Sequence, residues 1–98
     1  QALRRVFGSA LDKIAVSSTK PIHGHAIGAT GALELAITIM AVREGVAPPT
    51  INWVEADPAC DIDAVPNVAR SMPIRAALSN SFAFGGINAV LAVTHADQ

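Results

Sequence analysis

The 98-residue chain contains no tyrosine, one tryptophan, three phenylalanines and a single cysteine. One cysteine excludes a disulfide framework and any zinc site built on thiolates, and it suits a reducing compartment. Charge is scarce as well. Only 15% of residues are Asp, Glu, Lys or Arg, and seven basic side chains against eight acidic ones leave a net charge of −1. No basic field exists to engage a nucleic-acid backbone, so no nucleic-acid partner is expected. No charged-then-apolar leader opens the sequence, nothing points to secretion, and a cytoplasmic location is the expectation. What the chain has in excess is apolar side chains, 51% of the total. That is far too many for a disordered tail and unusual for so small a soluble unit.

Much of that excess lies in one segment, Ala26 to Glu44, whose Ala, Leu, Met and Glu favour helix, with Gly45 placed to end it. Leu33, Leu35, Ile37, Ile39, Met40 and Val42, with the alanines between them, cover nearly the whole circumference. A helix apolar all round must be buried on every side or lie in a membrane. The membrane reading fails, because the run falls short of about 20 clean apolar residues and Glu34 interrupts it. A buried helix needs layers on both sides, which the rest of this chain can hardly supply. The chain is therefore expected to be part of a larger fold or a tight oligomer.

Around that helix the pattern is mixed. Ala2 to Phe7 reads as the end of an amphipathic helix stopped by Gly8, and Ile14 to Ser18 as a short β-type run. Thr50 to Trp53, after two prolines, reads as briefly extended, and polar Glu55 to Arg70 as a loop. Arg75 to Ser79 and Ala89 to Thr94 read as strands, the second with the weak alternation of a strand covered on both faces. The order α–β–α–β–β predicts a layered α/β fold in one unit, with no repeat or linker.

Three arrangements could carry chemistry. Lys20-Pro21-Ile22-His23-Gly24-His25 precedes the long helix, where layered α/β folds gather functional groups. At a helix start, the macrodipole and Lys20 disfavour an imidazolium at His25, making it a neutral donor to a carbonyl oxygen rather than a general acid. The competing reading is a surface turn with two incidental histidines. Two histidines without a nearby cysteine or acid fall short of a metal site, and no metal or cofactor is expected. Gly24, Gly28 and Gly31 match neither a dinucleotide nor a phosphate loop, and close helix packing is the simpler reading. Phe82-Ala83-Phe84-Gly85-Gly86 places two of the three phenylalanines beside paired glycines. Such a turn can present backbone N–H groups to an oxyanion while the rings wall an apolar channel. It can equally be a hairpin turn with core-packed rings. Cys60 lies among Asp57, Asp61 and Asp63, whose charges oppose a thiolate, so it reads as structural or incidental.

Taken together, Ser18 to Glu34 (STKPIHGHAIGATGALE), Pro48 to Asn52 (PPTIN), Cys60 to Asn67 (CDIDAVPN) and Asn80 to Asn88 (NSFAFGGIN) resemble, in order, motifs of the β-ketoacyl-[acyl-carrier-protein] synthases, nearest the elongating types. The resemblance runs from Gln1 to about Ala96. It implies a thiolase-like fold of two similar α/β halves with a central pair of buried helices, which would house the apolar helix. Residues 1–98 would then be the C-terminal portion of a ketosynthase domain, incomplete as a catalytic unit. The implied reaction is a decarboxylative Claisen condensation of malonyl-acyl carrier protein with an acyl thioester in fatty-acid synthesis. Acyl carrier protein, the remainder of the synthase and a second copy are the implied partners.

Carried over residue by residue, His25 corresponds to the histidine that holds the malonyl thioester carbonyl as enolate charge develops. Lys20 corresponds to a lysine that pairs with an upstream carboxylate and organises the site. Phe84 corresponds to the gating phenylalanine whose N–H joins an oxyanion hole, with Phe82, Gly85 and Gly86 in the same mobile loop. The family's nucleophilic cysteine and first histidine lie upstream of the matched region, and Cys60 is not that cysteine. Two departures stand out: His23 often corresponds to threonine, and Ala83 replaces a common glycine, which would stiffen the loop. A polyketide ketosynthase and a non-catalytic chain-length partner are the alternatives. A thiolase would require a cysteine in the final glycine turn, where this sequence has none.

Overall fold

The computed structural model describes residues 1–96. Helix α1 spans Ala2–Phe7 and ends where Gly8, at φ 54°, returns its N–H to the Arg4 carbonyl. A 3₁₀ turn, Gly8–Lys13, follows, and then a short helix α2, Lys20–His23, with Pro21 in its first turn. Proline is favoured there because its fixed φ suits a helix and its missing N–H would have had no partner. A second 3₁₀ turn, Ile27–Ala29, leads into α3, Thr30–Glu44. Gly45 closes α3 in the left-handed conformation, φ 64° and ψ 40°, donating its N–H to Ala41. No helix among the described residues is long and apolar enough to cross a membrane.

The strands form two antiparallel pairs. β3, Ala76–Phe82, and β4, Asn88–Thr94, make a hairpin in register from Ala76↔Thr94 to Phe82↔Asn88. β1, Val46–Ala47, pairs with β2, Arg70–Ser71. Helix α3 lies against the β3–β4 hairpin, and its C-terminal end meets β1. The fully or nearly buried apolar side chains are few: Leu11, Val42, Ala47 and Val65.

Several sequence expectations change. The long helix starts at Thr30 rather than Ala26, because Ile27, at φ 49°, breaks the helical path. Ile14 to Ser18 is not a strand; it contributes one parallel bridge, Ala15↔Asp63. Thr50 bridges Pro66, but Ile51 and Asn52 form a turn, with Asn52 at φ 63°. Arg70, expected in the loop, pairs in β2 with Ala47. β4 is not covered on both faces within this chain, since only Val93 along it is even half-buried. Nor is α3 enclosed: only Thr30 and Val42 are buried, while Leu33, Ile39 and Met40 are 43%, 48% and 55% exposed. The chain exposes 7105 Å². A free-standing monomer of its mass would expose only about 5,300 Å².

The long connection from Glu55 to Ala69 is ordered by polar contacts. Val65 sits at φ 50°, an uncommon conformation for a β-branched residue, yet is fully buried. Its N–H reaches Asp63 Oδ1 at 3.2 Å, and its carbonyl accepts from Thr50 N at 2.9 Å. Both guanidinium Nη groups of Arg70 grip the Asp63 carboxylate. Arg4 ties the amino-terminal elements to the same loop through Asp12 Oδ1, 2.6 Å, and Asp61 Oδ2, 3.0 Å.

The Arg70 hydrogen bonds hold the Asp63 carboxyl below the usual aspartate range, against the opposing effect of its partial burial, with the Val65 N–H helping. A depressed folded-state value stabilises the fold above the ordinary aspartate range, and that stabilisation disappears as pH falls through the folded value. In the complete protein, Arg70→Gln should return the Asp63 titration, followed by carboxyl NMR, towards the ordinary range. It should also flatten the acid limb of the stability curve. An unshifted Asp63 titration in that variant would contradict the assignment.

Candidate active site

The segment from Thr19 to Thr30 is held by side-chain bonds rather than by regular structure. Thr19 is buried, and its hydroxyl lies 2.9 Å from His23 Nε2. His23 Nδ1 lies 2.7 Å from the Gly24 carbonyl. A carbonyl only accepts, so Nδ1 carries the proton there, and in the neutral ring Nε2 accepts from Thr19. Both ring nitrogens of His23 are thus engaged in shaping the turn. Gly24 takes φ 77° and ψ 178°, a conformation that favours glycine, and donates its N–H to Lys20 O at 2.7 Å.

Lys20, at the start of α2, forms an ion pair with Glu34 from the second turn of α3. The Glu34 side chain is only 15% exposed, so its carboxylate depends on this cation. Within this chain the partner of Lys20 is thus a carboxylate fourteen residues downstream. Glu34 had a sequence signal of its own: a carboxylate inside an apolar helix must find a positive partner.

His25 is exposed and stands five residues before Thr30, on the approach to α3 and separated from it by the Ile27–Ala29 turn. The helix reaches it through a side chain instead: His25 Nδ1 lies 2.9 Å from Thr30 Oγ1. Between them, Ile27 is both exposed and at positive φ. Strain of this kind in a bulky residue concentrates at functional sites.

The Phe-Gly-Gly turn caps the β3–β4 hairpin. Ala83 donates its N–H to Ile87 O at 2.8 Å, and Gly85 and Gly86 adopt φ 82° and 79°. The rings are not packed in a core, since Phe82 is 71% exposed and Phe84 fully so. Helix start and turn are neighbours: a Cβ at Gly31 would lie 3.7 Å from Ser81 Oγ, one residue before Phe82. Gly31 is thus in ordinary contact distance, whereas a Cβ at Gly24 or Gly28 would meet nothing among the described residues. The start of α3 links the two: Thr30 meets His25 and Gly31 neighbours Ser81, while exposed Cys60 lies in the Glu55–Ala69 connection.

Residues 1–54 match the family model described as the β-ketoacyl synthase, C-terminal domain. The chain belongs to this family. It is 53% identical over 92 residues to nodulation protein E of Rhizobium sp. (strain N33), covering 94% of this chain and 23% of that protein. It is 50% identical over 94 residues to 3-oxoacyl-[acyl-carrier-protein] synthase 2 of Coxiella burnetii, covering 96% of this chain and 23% of the relative. Among solved structures it superimposes on a type II polyketide synthase complex, AntDE with AntF, of acyl-carrier protein with its ketosynthase. The TM-score is 0.91 at 35% identity, over 95% of this chain and 23% of the other. The ishigamide ketosynthase/chain length factor matches at TM-score 0.74 and 44% identity, over 80% of this chain and 19% of that one. The chain thus spans about a quarter of the length of the curated relatives it matches. Its fold is that of the C-terminal part of a β-ketoacyl synthase, α/β and thiolase-like.

The Lys20–Glu34 pair should be worth more to the fold than an exposed ion pair. In the complete protein, Lys20→Met should cost about 1–3 kcal/mol, because it leaves a mostly buried carboxylate unpaired. Adding Glu34→Gln should recover part of that loss. A denaturant-based double-mutant cycle with no coupling would show the pair to be incidental.

Proposed function

We propose that the complete protein is a β-ketoacyl-[acyl-carrier-protein] synthase. It performs decarboxylative Claisen condensation of malonyl-acyl carrier protein with an acyl thioester in fatty-acid synthesis. In this reading residues 1–98 are the C-terminal portion of its ketosynthase domain and incomplete as a catalytic unit. The observation that carries the proposal is His25. Its exposed ring is anchored to Thr30, beside a segment fixed by the Lys20–Glu34 pair, and the next helix residue, Gly31, neighbours the strand that leads into the Phe84 turn.

Decarboxylation breaks the bond between the malonyl α-carbon and its carboxylate. Carbon dioxide departs, and the electron pair becomes an enolate on the thioester. A ring N–H of His25 holds the enolate oxygen, and a preorganised donor of this kind lowers the barrier because the charge develops where the donor already points. The α-carbon then attacks the carbonyl of an acyl group carried on a cysteine elsewhere in the protein. A carbon–carbon bond forms and the thiolate leaves. The Phe84 N–H assists the oxyanion of that second step, Phe82 and Phe84 wall the acyl chain, and Gly85 and Gly86 give the turn its freedom. Lys20 acts as a positioning residue through Glu34. Cys60 has no part in the chemistry.

The excess exposed area supports a chain that is covered by the remainder of the synthase and by a second copy. Acyl carrier protein is the partner that delivers both substrates, a reading supported by the polyketide ketosynthase complex. Similarity to the ishigamide ketosynthase/chain length factor supports a second reading, a non-catalytic partner subunit or a polyketide ketosynthase.

In the complete protein, His25→Ala should lower malonyl decarboxylation by about 10²–10³-fold while leaving acyl loading intact. Equal decarboxylation in variant and parent overturns the role of His25. A parent protein that neither loads acyl groups nor decarboxylates malonyl thioesters decides for the non-catalytic partner. Phe84→Ala should alter acyl-loading rates in a chain-length-dependent way, and identical loading kinetics across chain lengths would remove the gate.

A further inference from the structure

We infer that Thr30 is a positioning residue that fixes the tautomer of His25, donating its hydroxyl proton to Nδ1 and so placing the ring proton on Nε2. The distance between Thr30 Oγ1 and His25 Nδ1 is 2.9 Å, which fits a hydrogen bond in either direction. Burial decides the direction. Thr30 is only 5% exposed, and the Nδ1 contact is the one hydrogen bond its side chain makes among the described residues. If Nδ1–H were the donor, the hydroxyl proton would be left buried with no acceptor, which is costly. With the hydroxyl as donor, no buried polar atom is orphaned, and the described residues contain none without a partner.

The consequence falls on the other ring nitrogen. A neutral imidazole that accepts at Nδ1 must carry its proton at Nε2. His25 is exposed, so that N–H is presented outward as a donor. His23 makes the contrast: its Nδ1 faces a carbonyl, so its proton sits on Nδ1 rather than Nε2. Two histidines two residues apart are thus held in opposite tautomers by their neighbours, and only the second offers an N–H to a substrate. Thr30 is rigidly placed for this task. It is the first residue of α3, and the helix is locked to the same segment by the Lys20–Glu34 pair. Its effect on catalysis rests on the condensing reading above; its effect on the tautomer does not.

The test uses the complete protein with ¹⁵N-labelled histidine, together with Thr30→Ser and Thr30→Val. Ring ¹⁵N shifts of the parent and Thr30→Ser should report protonated Nε2 and accepting Nδ1 for His25. Thr30→Val, of nearly the same shape, should mix the two tautomers while His23 stays unchanged. Malonyl decarboxylation should fall about fivefold in Thr30→Val, the factor an ordinary hydrogen bond is worth, and return in Thr30→Ser. A parent His25 protonated at Nδ1, or a Thr30→Val protein with the parent's shifts, overturns the inference. A parent with the expected tautomer but no decarboxylation supports the inference and overturns the condensing reading instead.

Discussion

A helix without a polar face governs this chain. Helix α3 carries apolar side chains all round, and the β3–β4 hairpin covers only part of it. Burying a side chain such as Leu33, Ile39 or Met40 is worth about 1.5–3 kcal/mol each, and here all three remain substantially exposed. Few apolar side chains are buried among the described residues, so this chain's own core contributes little against the entropy of ordering it. The one acid in its second turn, Glu34, is tolerable because Lys20 reaches it from the preceding segment. That pair converts a liability of the helix into a fixed distance between α2 and α3.

What could be read in advance follows from how strongly each element is written in its own residues. Helix α3, its Gly45 terminus and the two hairpin strands are long enough for composition and pattern to identify them. β1 and β2 are two residues each, too short for any periodicity, and exist because Gly45 turns the chain back towards Met72. There the Met72 N–H reaches Gly45 O at 2.9 Å. The start of α3 was misplaced because alanine and glycine fill the stretch before Thr30. The decisive feature, a left-handed isoleucine at Ile27, contradicts the residue's ordinary preference. Val65 misleads in the same way. A buried left-handed valine is set by Asp63, Thr50 and the packing around it, none of which lies in its own local sequence signal.

The site divides along the same line. Residue types and the helix start singled out His25, Lys20 and the Phe-Gly-Gly turn, but not what holds each histidine ring in place. That depends on Thr19, Gly24 and Thr30, polar groups whose relevance appears only when the segment is folded. His23 spends both nitrogens on the turn; His25 spends one. A group that must hold a developing charge needs a free donor on a constrained ring, and the second histidine meets both conditions.

The glycine turn follows a complementary logic. Ala83, which takes the place of a common glycine, was expected to stiffen the loop. Its backbone lies at φ −117° and ψ 164°, an extended conformation that an L-residue adopts without strain. Its N–H is already committed to Ile87 across the hairpin end. Alanine therefore costs this conformation nothing and marks where the strand stops. Gly85 and Gly86, two and three residues later, take positive φ that other residues resist, so glycine is what this part of the turn requires. Phe84 sits between Ala83 and these two glycines, its ring wholly exposed, so the conformation of the turn and not a packed core sets where the ring points.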